Sequence, residues 1–276
     1  MALSNPPLDS QHTKGRFTNK VSIITGGASG IGRATVLRFV NDGAAVAVFD
    51  INEAAGKQLQ DELTAAGHNV KFYKVDVAHK EQCVEGVKKV AEEHEGKIHF
   101  LVNNAGVAVQ CKGVDYSKED WDKVLGINVI GYSNMVQACY PFMTKAEAWD
   151  CSVVNISSIQ AHRAQPATSG WTYHASKGAV TAMTKCMALD LSANGIRVNS
   201  ISPGYIWTEL AQSFLGERKN CEPTVAKLQM SQRFGEPAEI AAAIAFLCSK
   251  DASYITGTEL AVDGGYLALG PEALGE

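Results

Sequence analysis

Val21-Ser22-Ile23-Ile24-Thr25-Gly26-Gly27-Ala28-Ser29-Gly30-Ile31-Gly32 begins as a β-branched, apolar run and passes straight into a glycine-rich string. Apolar residues then recur at helical spacing from Ile31 to Val40, so the passage reads as strand, tight turn and helix. Glycines in such a turn let the backbone approach a pyrophosphate, whose charge meets the amides and dipole of the helix start. Gly26, Ser29, Gly30, Ile31 and Gly32 are therefore candidate cofactor-binding residues. No Lys-Ser or Lys-Thr follows the last glycine, which excludes the triphosphate-gripping loop of nucleotide hydrolases. Asp50 ends the next apolar run, beyond the helix that follows Gly32, where a carboxylate can accept hydrogen bonds from a ribose diol. That carboxylate would repel a 2′-phosphate, and the positions where Arg or Lys would favour NADP hold Ala28, Ser29 and Ile51. The cofactor expected is NAD. Arg33, one step into the helix, reads as solvated.

Outward from this unit the chain keeps alternating short apolar runs with helix-like stretches, the pattern of a parallel sheet covered by helices on both faces. Strands are expected at Val21–Ile24, Ala45–Asp50, Val70–Lys74, Phe100–Asn103, Ser152–Ile156, Arg197–Ile201 and Glu259–Val262. Helices are expected at Ile31–Val40, Glu53–Ala66, Ala78–His94, Asp120–Phe142 and Tyr173–Ala193. The fold class predicted is α/β: a Rossmann-type, doubly wound, seven-stranded parallel sheet in one domain. At 276 residues the chain fits one such domain, expected to span 18–276 after a loose segment over 1–17.

Composition narrows the function. Hydrophobic residues make up 46% and charged residues 20%, which is ordinary globular usage rather than a disordered chain. The formal charge of −4 supplies no field for phosphate backbones or anionic lipid, so neither nucleic acid nor a membrane surface is an expected partner. No apolar run is long enough to cross a bilayer, and the first residues lack the pattern of a secretory signal. The seven cysteines are odd in number, with no C-x-x-C pair, so they read as reduced thiols of a cytoplasmic protein, and no metal site is expected. The sequon Asn155-Ile156-Ser157 sits in an apolar run and reads as a buried strand end.

In Tyr173-His174-Ala175-Ser176-Lys177 a spacing of four puts phenol and ammonium on one helix face. A nearby cation favours phenolate, which would fit the tyrosine for proton transfer to or from an alcohol oxygen.

Thr25–Gly32, Asp76-Val77, Asn103-Asn104-Ala105-Gly106, Tyr173-x-x-x-Lys177 and Pro203-Gly204 follow one another in the order found in short-chain dehydrogenases/reductases, and the chain resembles that family from about Phe17 to Leu267. The resemblance implies that Asp76 and Val77 hold the adenine and that Asn104 lines the cofactor groove. It implies that Ile206 and Thr208 bind the nicotinamide amide, and that Tyr173 and Lys177 also touch the cofactor. It further implies a catalytic tetrad of Asn128, Ser158, Tyr173 and Lys177. In that tetrad Ser158 holds the substrate oxygen, and Asn128 distorts its helix and anchors a water linking Lys177 to solvent. Glu209–Met230 would be a variable substrate lid, with Leu210, Phe214 and Leu215 as candidate pocket wall.

The separation of Ser158 from Tyr173 is wider than in many members, and the loop between them carries His162, Arg163, Gln165 and Trp171, any of which could touch substrate. Lys177–Lys185 and Ile201–Thr208 resemble a narrower group, the type-14 17β-hydroxysteroid dehydrogenase, also described as L-fucose dehydrogenase. That likeness makes Trp207 and Gln165 candidate substrate contacts, although Asn103–Val109 and the Gln160–Thr172 loop depart from it. The expected activity is interconversion of a secondary alcohol and its carbonyl, on a sugar or polyol hydroxyl such as an L-fucose-like aldose, or on a hydroxysteroid. A dinucleotide-binding protein without catalysis is the alternative from another class. The resemblance also implies a homotetramer. Ala175, Gly178, Ala179 and Ala182 would permit close helix contact either between copies or with the chain's own sheet.

Overall fold

The computed structural model describes residues 14–109, 114–164 and 170–269. Seven strands form one parallel sheet: β1 (Val21–Thr25), β2 (Ala45–Asp50), β3 (Val70–Lys74), β4 (Phe100–Asn103), β5 (Cys151–Ile156), β6 (Ile196–Pro203) and β7 (Glu259–Val262). Their order across the sheet is β3-β2-β1-β4-β5-β6-β7, so the winding reverses between β1 and β4. In an open parallel sheet that reversal leaves a crevice at the carboxyl ends of the strands. All seven strands lie within one or two residues of the expected bounds. Strands buried on both faces read as nearly continuous apolar runs, which makes them legible.

Alternate strand residues supply two cores. Ile24, Val48, Val102 and Val154 face one side, while Ile23, Ala47, Leu101 and Val153 face the other, and all are buried. The first core packs under α1 (Gly30–Asn41), α2 (Glu53–Ala65) and a helix at Pro237–Cys248. The second packs under α3 (Lys80–Glu93) and the helix over 131–143.

Three features depart from expectation. The helix foreseen over Asp120–Phe142 is α4 (Lys118–Leu125), one π-turn (Gly126–Ile130) and α5 (Gly131–Met143). Residue Asn128 in that turn is buried and bonded outside its own helix, which accommodates the widened ladder. The structured chain begins before residue 18: Phe17 is buried with its ring 4.9 Å from Phe39 and 4.8 Å from Phe100, and Arg16 pairs with buried Asp42 at 2.7 Å. Of the segment expected to be loose over 1–17, Arg16 and Phe17 are thus anchored, because the phenylalanine has a core to enter; residues 1–13 lie outside the described residues.

The third departure follows α6 (Trp171–Ser192), α7 (Glu209–Leu215) and α8 (Arg218–Leu228): α9 (Pro237–Cys248) occupies a stretch where the apolar pattern gave no element. It buries Ile240, Ala241, Ile244, Ala245, Leu247 and Cys248 on one face, but Ala238, Ala242, Ala243 and Phe246 leave the other face apolar too, so no amphipathic stripe shows in the sequence. Its start carries a capping box, with Glu236 and Glu239 around Pro237. Its end is held by Arg197, a fully buried arginine on β6. The Arg197 guanidinium donates to the carbonyls of Leu247 (2.7 Å), Ser249 (3.1 Å) and Cys248 (3.3 Å).

Ala175 and Ala182 are exposed on α6, whereas Val180, Thr184 and Ala188 turn inward, so the two alanines do not pack on the chain's own sheet. Among the described cysteines Cys83, Cys139, Cys151 and Cys248 are buried, Cys221 is half-buried and Cys186 is exposed, all as free thiols; Cys111 lies outside the described residues. Asn155, the sequon asparagine, is buried inside β5. Among the described residues no helix is long and apolar enough to cross a membrane.

Replacing Arg197 by leucine strips the last carbonyls of α9 of their donors. Urea denaturation should show a loss of about 3 kcal/mol, the cost of leaving buried, charge-assisted hydrogen bonds unmade. An unchanged midpoint and slope would refute this role.

Candidate active site

The glycine-rich turn is built by steric necessity. Gly26 (φ +62°) and Gly30 (φ +50°) occupy the left-handed region. A Cβ on Gly32 would sit 2.0 Å from the Gly26 carbonyl oxygen, so only glycine lets α1 start this close to the end of β1. Ser29 caps α1 without a side-chain bond and no acidic residue occupies the first turn, which leaves the helix amides and dipole open to an anion. Asn104 staples β4 to this turn: its side-chain amide donates to the carbonyls of Thr25 (3.0 Å) and Gly26 (3.1 Å). Asp50 is held by two amides, Ala28 N–H on Oδ2 at 3.0 Å and Asn52 N–H on Oδ1 at 2.9 Å.

A cleft of about 310 Å³ runs from here across the switch point. Its lining includes Gly26, Ser29, Gly30, Ile31, Asp50, Asp76, Val77, Asn104, Tyr173, Lys177 and Thr208, all expected from the sequence. Gly32, Asn128, Ser158, Ile206 and Trp207 are not in that lining. Gly32 acts from behind, through close packing. Ile206 is buried and bridges to Gly235, and Trp207 packs edge-on to Phe234 at 5.2 Å with the Arg218 guanidinium 5.8 Å from its ring. Thr208 reaches the cleft and also caps α7, accepting from Ala211 N–H at 3.1 Å.

The chemical end is assembled on α6. Lys177 is 2% exposed, and its ammonium donates to the Ile156 carbonyl at 2.7 Å. It lies 5.5 Å from the ring centroids of both Tyr132 and Tyr173. Tyr132 donates to the same carbonyl at 3.1 Å. Burial holds the Lys177 amine down at about 7. Burial also lifts the Tyr173 phenol to about 12, against the pull of its hydrogen bond to Ser158. The acidification of Tyr173 expected from the neighbouring lysine is thus opposed by the desolvation of both groups. Ser158 is 8% exposed and accepts from Gln160 N–H at 3.1 Å.

Asn128 stands behind this pair and holds it in place. Its Oδ1 accepts from Val107 N–H at 2.9 Å, while its amide donates to the Val107 carbonyl at 2.9 Å and to Ser176 at 3.0 Å.

The loop candidates scatter. His162 turns to Glu259 at 2.7 Å, and Arg163 donates to the carbonyls of Leu269 (3.2 Å) and Tyr266 (3.3 Å). Trp171 is exposed and stacks on Tyr116, with centroids 5.5 Å apart. Gln165 lies outside the described residues. Residues given no site role from the sequence but present in the cleft include Glu209, Val107, Ile127, Ile156, Phe49 and Val75. A Cβ on Gly30 would lie 3.4 Å from the Glu209 carboxylate, so this side chain approaches the open start of α1. Glu209 had a legible signal in its place just after Thr208.

A larger cavity, about 680 Å³, opens at the opposite edge of the sheet among Lys20, His99, Asp150 and Lys250, and contains none of the expected site residues. Among the described residues no group of three or more His, Cys, Asp or Glu is placed to hold a metal ion.

A family model described as enoyl-(acyl carrier protein) reductase matches residues 26–267. The chain belongs to the short-chain dehydrogenase/reductase family. It is 38% identical to 3-oxoacyl-[acyl-carrier-protein] reductase of Thermotoga maritima, over 91% of this chain and 98% of that protein. It is 37% identical to L-fucose dehydrogenase of Mus musculus, over 91% and 89%. It is 36% identical to cyclopentanol dehydrogenase of Comamonas testosteroni, over 92% and 99%. The crystal structure of gox2181 superposes with a TM-score of 0.86 at 30% identity, covering 94% of this chain and 99% of that one. This family member is therefore an oxidoreductase acting on CH–OH groups, with a dinucleotide-binding Rossmann sheet.

The Lys177 amine loses its proton near pH 7 in the folded chain but near 10.5 when unfolded, so between those values the unfolded state binds more protons and stability rises with pH. Lys177→Met should flatten that rise in unfolding free energies measured from pH 7 to 9. Glu209→Gln removes a negative charge from beside a helix start and should tighten NAD binding, by calorimetry, roughly two- to fivefold. Unchanged or weaker binding would contradict it.

Proposed function

We propose that this dehydrogenase uses NAD to interconvert a secondary alcohol and its carbonyl, with Tyr173 as general acid and base. The observation that carries this reading is that Tyr173, hydrogen-bonded to Ser158, and Lys177 line one end of a cleft whose other end is an uncapped helix start and Asp50. Those residues fit a dinucleotide: the amides around Gly26–Gly30 and the start of α1 would take the diphosphate, and Asp50 the adenosine ribose hydroxyls. Asp76 and Val77 would flank the adenine, and Thr208, with Ile206 behind it, the nicotinamide amide. The Asp50 carboxylate, with Ile51 rather than a cation beside it, disfavours a 2′-phosphate.

When bound, the cofactor supplies the hydride acceptor. Ser158 and Tyr173 orient the alcohol oxygen, and Tyr173, as phenolate, takes its proton as the carbon loses hydride; in the reverse direction the phenol returns that proton. Lys177, fixed by the Ile156 carbonyl and lining the cleft, when protonated places positive charge beside Tyr173 and so favours the phenolate that accepts the proton. Asn128 acts through Ser176 and the Val107 loop, keeping α6 in register.

Two substrate classes remain in view. A sugar hydroxyl, as in the type-14 and L-fucose dehydrogenase group, draws support from the mouse relative. An apolar ring alcohol, a hydroxysteroid or a smaller cyclic alcohol, is favoured by the commitment of His162 and Arg163 to other partners and by the apolar Val107 and Leu210 in the cleft wall. Trp207 and Gln165 are the side chains to test for substrate contact. The proposal extends to a cytoplasmic homotetramer; free buried thiols suit a reducing compartment, and Leu189, 76% exposed on α6, suits an interface.

The test is NADH formation at 340 nm with L-fucose, cyclopentanol, cyclohexanol and estradiol, each with NAD and with NADP at equal concentration. NAD should give the faster turnover, and Tyr173→Phe should lose roughly a thousandfold in kcat while still binding NAD. Faster turnover with NADP would overturn the cofactor assignment, and an active Tyr173→Phe would overturn the mechanism.

A further inference from the structure

Glu259 opens β7, and a single one of its carboxylate oxygens gathers donors from three other parts of the fold. His162 Nε2 lies 2.7 Å from Oε1, Thr181 donates to it at 3.2 Å, and Ser202 donates to it as well. Each donor leads toward the chemical end. His162 follows a short 3-10 turn, Ile159–Ala161, that begins at Ser158. Thr181 stands one helical turn beyond Lys177 on α6, and its hydroxyl meets that of Ser157 at 2.8 Å. Ser157 in turn donates to the Lys177 carbonyl at 3.0 Å. Ser202, on β6, is fully buried, and the Glu259 side chain is 16% exposed.

We propose that Glu259 is a positioning residue: its carboxylate clamps the turn that carries Ser158 to the helix that carries Tyr173 and Lys177, and so sets the geometry of the oxygen-binding pair. The proposal rests on the reading of Ser158 and Tyr173 given above. Ser158 has an extended backbone, φ −170°, outside any strand or helix. Sheet pairing fixes the chain on its N-terminal side up to Ile156, Ser157 N–H adds a bond to the Ile201 carbonyl, and on the other side the His162 side chain is anchored to β7. Along the chain, the whole stretch from Ile159 to Thr172 separates Ser158 from Tyr173. Through His162, Glu259 and Thr181 the same two segments are joined by two hydrogen bonds. A site that must hold its geometry within roughly 0.5 Å needs such outer support, since a displacement of about 1 Å can cost on the order of a hundredfold in rate. Glu259 touches neither the cleft nor the reacting atoms, so its effect passes entirely through position.

The experiment compares the full-length wild type with Glu259→Leu, Glu259→Gln and Tyr173→Phe. Its readouts are crystal structures with NAD, NAD affinity by calorimetry, and kcat and KM on L-fucose and cyclohexanol. Glu259→Leu should part the Ser158 and Tyr173 hydroxyls beyond hydrogen-bond reach and lower kcat tenfold or more, with NAD affinity within twofold of wild type. Glu259→Gln keeps an acceptor oxygen and should restore the contact and most of kcat. A Glu259→Leu enzyme with the contact intact, or one losing kcat and NAD affinity by the same factor, would overturn the clamp. Should that variant fail to fold, Thr181→Val and His162→Phe each remove one tether. Each should lower kcat at least threefold, and wild-type rates in both would overturn it equally. A fully active Tyr173→Phe sinks the catalytic reading instead, whereas an inactive Tyr173→Phe beside an unperturbed Glu259→Leu sinks the clamp alone.

Discussion

A lysine amine buried to 2% exposure is the constraint around which the carboxyl edge of this sheet is organised. Taking an ammonium out of water is costly unless its donors are met, and Lys177 has the Ile156 carbonyl and the faces of Tyr132 and Tyr173. Meeting those partners fixes α6 against the end of β5 and leaves little freedom in its rotation. Ser176, the preceding residue, then meets Asn128, which binds both backbone groups of Val107. The π-turn at Gly126–Ile130 is the local adjustment between α4 and α5 that lets Asn128 face inward. A perfect α-helix there would carry the asparagine in a different register.

Four of the polar groups buried in the sheet stand at the same edge. Thr25, Asn103, Asn155 and Ser202 are all fully buried, at or near the carboxyl ends of β1, β4, β5 and β6. Asn103 donates to Asn155 at 2.9 Å and Asn155 to Thr184 at 3.0 Å, linking two strands to α6 below the cleft. Thr25 accepts from the amides of Asn104 and Ala105, which closes β1 on β4 where the winding reverses. Satisfied buried hydrogen bonds contribute only about 1 kcal/mol each in net stability, so apolar side chains of equal volume would serve the core as well. Their directionality is what apolar packing lacks, and it holds the strand ends to one arrangement.

What the sequence made legible follows the same division. Parallel strands and the glycine-rich turn are dictated by short-range chemistry, and the expected strand bounds hold within one or two residues. Gly26, Gly30 and Asp50 reach the cleft because each sits at a strand end or helix start that the pattern itself locates. α9 escaped because alanines and Phe246 on its outer face mask the helical period of the buried one, although Glu236-Pro237-Ala238-Glu239 was a readable start signal. Ile206 and Trp207 were placed by resemblance; in the turn after β6 Ile206 bridges to Gly235 and Trp207 packs on Phe234. Glu259 was invisible for a different reason. Its partners lie far away along the chain and are brought to it by the pairing of β6 with β7, a tertiary fact with no local signature.

The two cavities show why the chemistry belongs at one edge and not the other. At the amino edge some of the charges are paired, Lys20 with Asp150 and Glu93 with Lys71, and burial holds His99 down at about 4. At the carboxyl edge the charged groups of the cleft are set apart: Asp50 and Asp76 toward one end, Lys177 at the other, and between them the start of α1 with Glu209 beside it. A charge already paired leaves less for a ligand to complete. Separated, desolvated groups leave interactions that only a bound molecule can satisfy, and their spacing selects an elongated one carrying hydroxyls near Asp50 and anionic charge near α1. The smaller cavity is thus the more informative, because its unmet electrostatics describe a ligand while the larger one describes only a solvated seam.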